Sequence, residues 1–111
     1  MPIDVAQSNQ VSRLIIERRK GGLIIDRSTV WPWDVYVDGH RIDALYQAGS
    51  RVTIERDGGF VCFIRCENGI YEETSEIRIN VKTGQSLKLA YVYKKVFVGW
   101  DFQRVPWDKS P

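Results

Sequence analysis

Few side chains in this sequence could do chemistry: one histidine, two cysteines, an acidic group and a basic run. His40, in "VDGHR", would need a nucleophile or an orienting acid to serve as a general base. Asp38 and Asp43 are near in sequence, but no serine or cysteine is placed beside them, so His40 reads as a surface histidine at a hairpin tip. Cys62 and Cys66, in "FVCFIRC", have the spacing of half a metal site, yet a tetrahedral zinc site needs four ligands and only His40 is left to add. On a strand the two thiols share a face roughly 13 Å apart, at ~3.3 Å per residue. A disulfide needs their Cβ atoms within about 4 Å. They read instead as small buried hydrophobes in a reducing compartment. Glu67, Glu72, Glu73 and Glu76 offer oxygen ligands for a hard cation but lack the Asp-x-Asp-x-Asp-Gly spacing, which favours a solvated loop.

The remaining candidates are basic and aromatic. Arg18-Arg19-Lys20 and Lys94-Lys95, interleaved with Tyr91, Tyr93 and Trp100, have the elements of a single-strand nucleic-acid groove. Tyr91 and Tyr93, however, share the parity of Leu87 and Leu89, which makes them core, and nucleic acid is not the expected partner. Among the four tryptophans, Trp33 and Trp100 fit inward positions on strands. Trp31, before Pro32, and Trp107, after Pro106, stand outside regular strand. These two are either exposed anchors for a protein or a sugar, or caps on the open ends of the fold. The candidate binding residues are therefore Trp31, Trp107, Arg18, Arg19 and Lys20. No catalytic residue, metal ligand or cofactor is expected.

These residues must be positioned by a single domain, since 111 residues support one core. The composition, 43% hydrophobic and 27% charged, is that of a globular chain. A net charge of +2, from 16 basic and 14 acidic residues, is too balanced for a dedicated nucleic-acid binder. No run approaches the ~18 apolar residues of a membrane helix. "MPIDVAQSNQ" has neither a charged n-region nor an apolar h-region. The expected location is cytoplasmic if the sequence is complete, and periplasmic or envelope if a leader has been removed.

Strand signals fill the chain. Residues 13–19 and 23–26 are short apolar runs separated by Gly21-Gly22. "WDVYVDGHRIDAL" predicts a hairpin with a type I′ turn at Asp38-Gly39. It would pair Val37 with His40, Val35 with Ile42 and Trp33 with Ala44, all facing the core. "RVTIERDGGFVCFIRCE" predicts a second hairpin, with a three-residue Asp57-Gly58-Gly59 loop that sets Val52 and Ile54 opposite Ile64 and Cys62. Residues 67–75 read as a loop. Ile77, Ile79 and Val81 alternate inward, Lys82–Gln85 is a turn, and 86–95 and 96–105 are further strands. The tail "PWDKSP" reads as loose. The domain spans 13–105, with tails at 1–12 and 106–111. About seven to eight short strands without helical periodicity predict an all-β, immunoglobulin-like antiparallel sandwich.

The order of these signals, centred on "DVYVDGHRIDAL", "EIRINVKTGQ" and "LKLAYVYKK", resembles a bacterial family of small domains of unknown function. Many of those are lipoproteins close in pattern to PEGA-type modules. The likeness covers about residues 13 to 95 and rests on Val35, Val37, Asp38, Gly39, Ile42, Leu45, Gly49, Gly84 and Tyr91. The family's Pro-Gly-x-His turn is replaced by "RDGGFVCF", and no lipobox cysteine precedes the domain. The resemblance implies an immunoglobulin-like sandwich with a binding or structural role and no catalytic residues. The function expected is a non-enzymatic protein-binding or assembly module, with a homo-oligomer through sheet edges as one form. The alternatives are a carbohydrate- or envelope-binding module using exposed aromatics and a phage-type inhibitor of a host complex.

Overall fold

The computed structural model describes residues 10–20, 31–68, 73–95 and 99–107. They form eight strands: β1 (Val11–Arg18), β2 (Trp33–Val37), β3 (His40–Leu45), β4 (Arg51–Asp57), β5 (Phe60–Asn68), β6 (Glu73–Val81), β7 (Ser86–Lys95) and β8 (Trp100–Val105). The strands make two four-stranded sheets, ordered β4-β1-β7-β8 and β3-β2-β5-β6. This is the all-β sandwich that the strand-length runs and turns predict. The apolar run at 23–26 lies outside the described residues. Among the described residues no helix is long and apolar enough to cross a membrane.

The core is built by alternation. Leu14, Ile16, Val52, Ile54 and Leu89 from one sheet meet Trp33, Val35, Cys62, Ile64 and Val81 from the other, all buried. Period-2 patterning produces this when one face of each sheet is dry. The ladders are antiparallel except for β1 with β7, which is parallel. Parallel strands are usually covered on both faces, and this pair follows the rule. Glu17 and Ala90, in register on the outward side, are buried, as is Val92.

Two hairpin expectations need correction. The Asp38-Gly39 turn forms as predicted, with both residues at positive φ (48° and 89°) and Val37 paired with His40. Tyr36 still pairs with Arg41, in the predicted register, but a bulge then shifts it, so that Val35 pairs with Asp43 rather than Ile42. Trp33 then pairs with Leu45, not Ala44. An extra residue on one strand reverses the facing of all that follow. Ile42 is therefore exposed and Leu45 takes the core position.

The 51–66 segment is not a hairpin. β4 pairs with β1, whereas β5 pairs with β2 and β6, so the chain changes sheets at Asp57-Gly58-Gly59. The inward set was right and the pairing was wrong, because either arrangement puts Val52, Ile54, Cys62 and Ile64 into the same core. Gly59 fits the crossing: a Cβ there would sit 2.8 Å from the Val81 carbonyl oxygen, a backbone atom that has no easy retreat.

Two smaller differences concern segments expected to be irregular. In 67–75, Glu67 pairs with Thr74 and Asn68 with Glu73, extending the β5–β6 ladder. In the tail expected to be loose, 106–111, Pro106 is exposed but Trp107 is partly buried and hydrogen-bonded.

Candidate functional site

The three basic candidates lie at the end of β1 and just after it, and the continuing alternation sends Arg18 and Arg19 to opposite faces. Arg18 shares parity with Leu14 and Ile16, so its side chain points into the sandwich, where it is 4% exposed. The guanidinium donates from Nη1 to the carbonyl oxygens of Trp31 (3.0 Å) and Leu45 (2.8 Å). Its Cζ lies 4.4 Å from the centroid of the Trp33 ring. A buried cation is costly unless hydrogen-bonded, and the two carbonyls with the indole face supply that compensation here.

Around this group is an aromatic cluster. Tyr93 meets Trp31 and Trp33 edge-on, each with centroids 6.5 Å apart, and Phe102 stands perpendicular to Trp33 at 4.9 Å. The Tyr93 hydroxyl and Ser75 Oγ are 3.3 Å apart. Cys66 borders the same group; burial pushes its thiol up to about 11, against the opposing charge of Arg18 and a hydrogen bond with Tyr93. Burial alone pushes Cys62 up to about 12. Both cysteines are free and buried. Their thiols stay protonated near neutral pH and so are poor nucleophiles. Trp31 is buried as well, at 5%. Of its two sequence readings, the exposed anchor does not fit this burial.

On the outward face, Glu17, Arg19, Arg51 and Trp107 form a second cluster. Glu17 and Arg51 are cross-strand partners on β1 and β4. One Glu17 carboxylate oxygen accepts from Arg51 Nε (2.9 Å) and the other from Arg19 Nε. Burial works to raise the Glu17 carboxyl, but the hydrogen bonds and charges of Arg51 and Arg19 outweigh it and hold the group below its ordinary value. Arg19 Nη2 also donates to the carbonyl oxygen of Trp107 (2.5 Å). The Trp107 ring centroid is 5.0 Å from Arg51 Cζ and 5.8 Å from Arg19 Cζ.

Val105 on β8 pairs with Ala90 on β7. Two residues further on, Trp107 reaches Arg19 and Arg51, so its contacts tie the end of β8 to the end of β1 and to β4. Ala90, in register between Val105 and Glu17, is fully buried.

The five candidates are thus divided. Arg18 and Trp31 meet inside the sandwich, Arg19 and Trp107 meet outside it, and Lys20 is exposed beyond both. The expected basic patch loses Arg18 to the core. Tyr93 is buried and Tyr91 packs half-buried against the core, so neither turns a free ring toward solvent. His40 is exposed at the β2–β3 tip. Glu67 pairs with Arg65 at 3.3 Å, Glu76 is exposed and Glu72 lies outside the described residues. No group of three or more metal-ligating side chains occurs among the described residues.

Glu17 and Arg51 were not singled out from the sequence. A repeat marks two tryptophans rather than these residues themselves: Pro-Trp-Asp occurs at 32–34 and again at 106–108, and Trp33 lies by Arg18 and Trp107 by Arg19. Compared with known proteins, the chain matches no family model, no curated protein and no solved structure.

Proposed function

We propose that the protein is a non-enzymatic protein-binding or assembly module that meets its partner chain at the β3 edge of the sandwich. The observation carrying this reading is apolar exposure at that edge. Ile42 is 40% and Tyr46 56% exposed, on and just beyond β3, which ends its sheet. Large apolar groups on an edge strand are a hazard unless covered, and a partner would cover them. The bulge at Ile42 discourages regular strand addition, so side chains rather than a continued ladder would carry the contact. The role implied by the resemblance to small bacterial β-sandwich domains agrees with this reading.

The carbohydrate reading depends on exposed tryptophans. It is weakened by the burial of Trp31 and keeps only the half-buried Trp107.

The test is a photo-crosslinking residue placed at position 42, compared with one at the exposed Thr53 of β4, in cells that make the protein. A discrete crosslinked protein, including a second copy of this chain, is expected from position 42 and not from 53. Equal crosslinking at both positions, or none at 42, overturns the reading.

A further inference from the structure

We propose that the seat beneath Trp107 is a docking site for a peptide segment presenting a tryptophan after a proline, held closed by the chain's own C-terminal segment. The seat is a row across the outer face of one sheet: Arg51 of β4, Glu17 of β1 and Ala90 of β7, adjacent in register, with Arg19 just beyond β1. Three features make it a receptor for a segment rather than a patch of surface.

Its frame is assembled without the occupant. The two oxygens of Glu17 hold Arg19 and Arg51 by their Nε atoms, and neither of these bonds involves Trp107. A site whose polar groups are already ordered binds at a lower entropic cost.

Its contacts also combine one that is blind to sequence with one that selects. Arg19 Nη2 donates to a backbone carbonyl, which any peptide supplies. The two guanidinium groups near the ring favour an aromatic side chain, and tryptophan gives the strongest cation–π attraction. The chemistry of the occupant is identified by what sits there now.

The third feature is the shortness of the tether: only Pro106, which is exposed, separates Trp107 from the end of β8. Pro106 and Trp107 are not part of a paired strand. An occupant tethered this closely has a high effective concentration, so it shields the seat from weak ligands. A segment in trans must outcompete it or meet a chain whose C-terminal segment has been pulled away.

The experiment uses the full-length chain with Trp107→Ala, which empties the seat and keeps its frame. A synthetic peptide of residues 103–111 is titrated into isotope-labelled W107A and wild-type protein, and amide shifts are followed by NMR. The expected result is saturable shifts at Glu17, Arg51 and Ala90 in W107A, with binding to wild type roughly tenfold weaker or more. The same peptide with alanine in place of its tryptophan should give no saturable shift. Adding Arg51→Ala to W107A should weaken binding several-fold.

Absence of binding to folded W107A overturns the proposal. So does equal binding to W107A and wild type, or shifts confined to the β3 edge. If W107A gives no folded spectrum, Trp107→Phe takes its place. Failure of both variants to fold would make Trp107 part of the core, and that too overturns the proposal.

Discussion

Arg18 and Arg19 are consecutive, each lies near an indole and each binds a tryptophan backbone carbonyl, yet they work in different media. Arg18 is inside the sandwich, 4.4 Å from the Trp33 ring centroid, with bonds to Trp31 and Leu45. Arg19 is outside, shared between Glu17 and Trp107. Strand alternation alone separates them. A charge removed from water makes strong bonds and leaves strong demands when they are lost. Arg19 lies outside the core yet is largely withdrawn from water, as is its Glu17 partner, so its bonds are only partly replaced by water and salt. Loss of the inner cation should therefore cost the fold more than loss of the outer one, which leaves Glu17 its second arginine.

The largest test of that contrast is Arg18→Met against Arg19→Met. Arg18→Met leaves two carbonyls short of donors inside the core, and a loss of about 3 kcal/mol is expected. Arg19→Met should cost less, about 1.5 kcal/mol, because Glu17 keeps its bond to Arg51. Urea midpoints measure both. An R18M chain as stable as wild type would show that the cost of burying the guanidinium equals what its bonds return.

The cysteines extend the test to reactivity. With Cys66 pushed up to about 11 and Cys62 to about 12, neither should be alkylated in the native chain at mildly alkaline pH. Labelling followed by mass spectrometry should track global unfolding, and labelling faster than unfolding would place a thiol nearer to solvent.

On the outer face, Trp107→Ala should cost about 1–2 kcal/mol and speed amide exchange at Glu17 and Ala90, leaving Trp33 and Tyr93 protected. Loss of protection in both regions would mean that the C-terminal segment and the core open together.

Glu17→Gln should cost about 1.5 kcal/mol near neutral pH, since a buried carboxylate that holds two guanidinium groups loses its charge. The folded carboxyl titrates below its ordinary value of 4.5, so the stability it adds is present above that value and is lost as pH falls through the folded one. The gap between wild type and E17Q should accordingly close in acid, which urea midpoints at about pH 7 and about pH 3 would show. A gap that widens in acid would reverse the assignment.

The smallest effect belongs to Ile42→Thr. An exposed side chain at a bulge should change stability by no more than about 0.5 kcal/mol. A loss above about 1 kcal/mol would mean that Ile42 packs as the unbulged hairpin requires.

Much of this molecule is determined by local sequence. Alternation marks Val52, Ile54, Cys62, Ile64, Ile79, Val81 and Leu89 as inward, and the structure buries each of them. Asp38-Gly39 and Lys82–Gln85 make their turns because short-range backbone geometry calls for those residues; Gln85 N donates to the Lys82 carbonyl. Even the position of Arg18 was legible in principle, since it stands two residues after Ile16 and four after Leu14.

Other features required the assembled sheets. Parity tells which side of a strand is dry, but not which neighbour supplies its hydrogen bonds. Val52 and Ile54 would face the same core in a hairpin with β5 or in a different sheet from it. The bulge at Ile42 is chosen by the demand for Leu45 in the core. The Trp107 seat joins residues from β1, β4 and β7 with the chain that follows β8, and no local pattern encodes such a meeting. Turns and dry faces are local properties, because they depend on neighbours one to four residues away. The pairing, the burial of Trp31 and the Trp107 contacts are not, because interactions between distant strands set their energies.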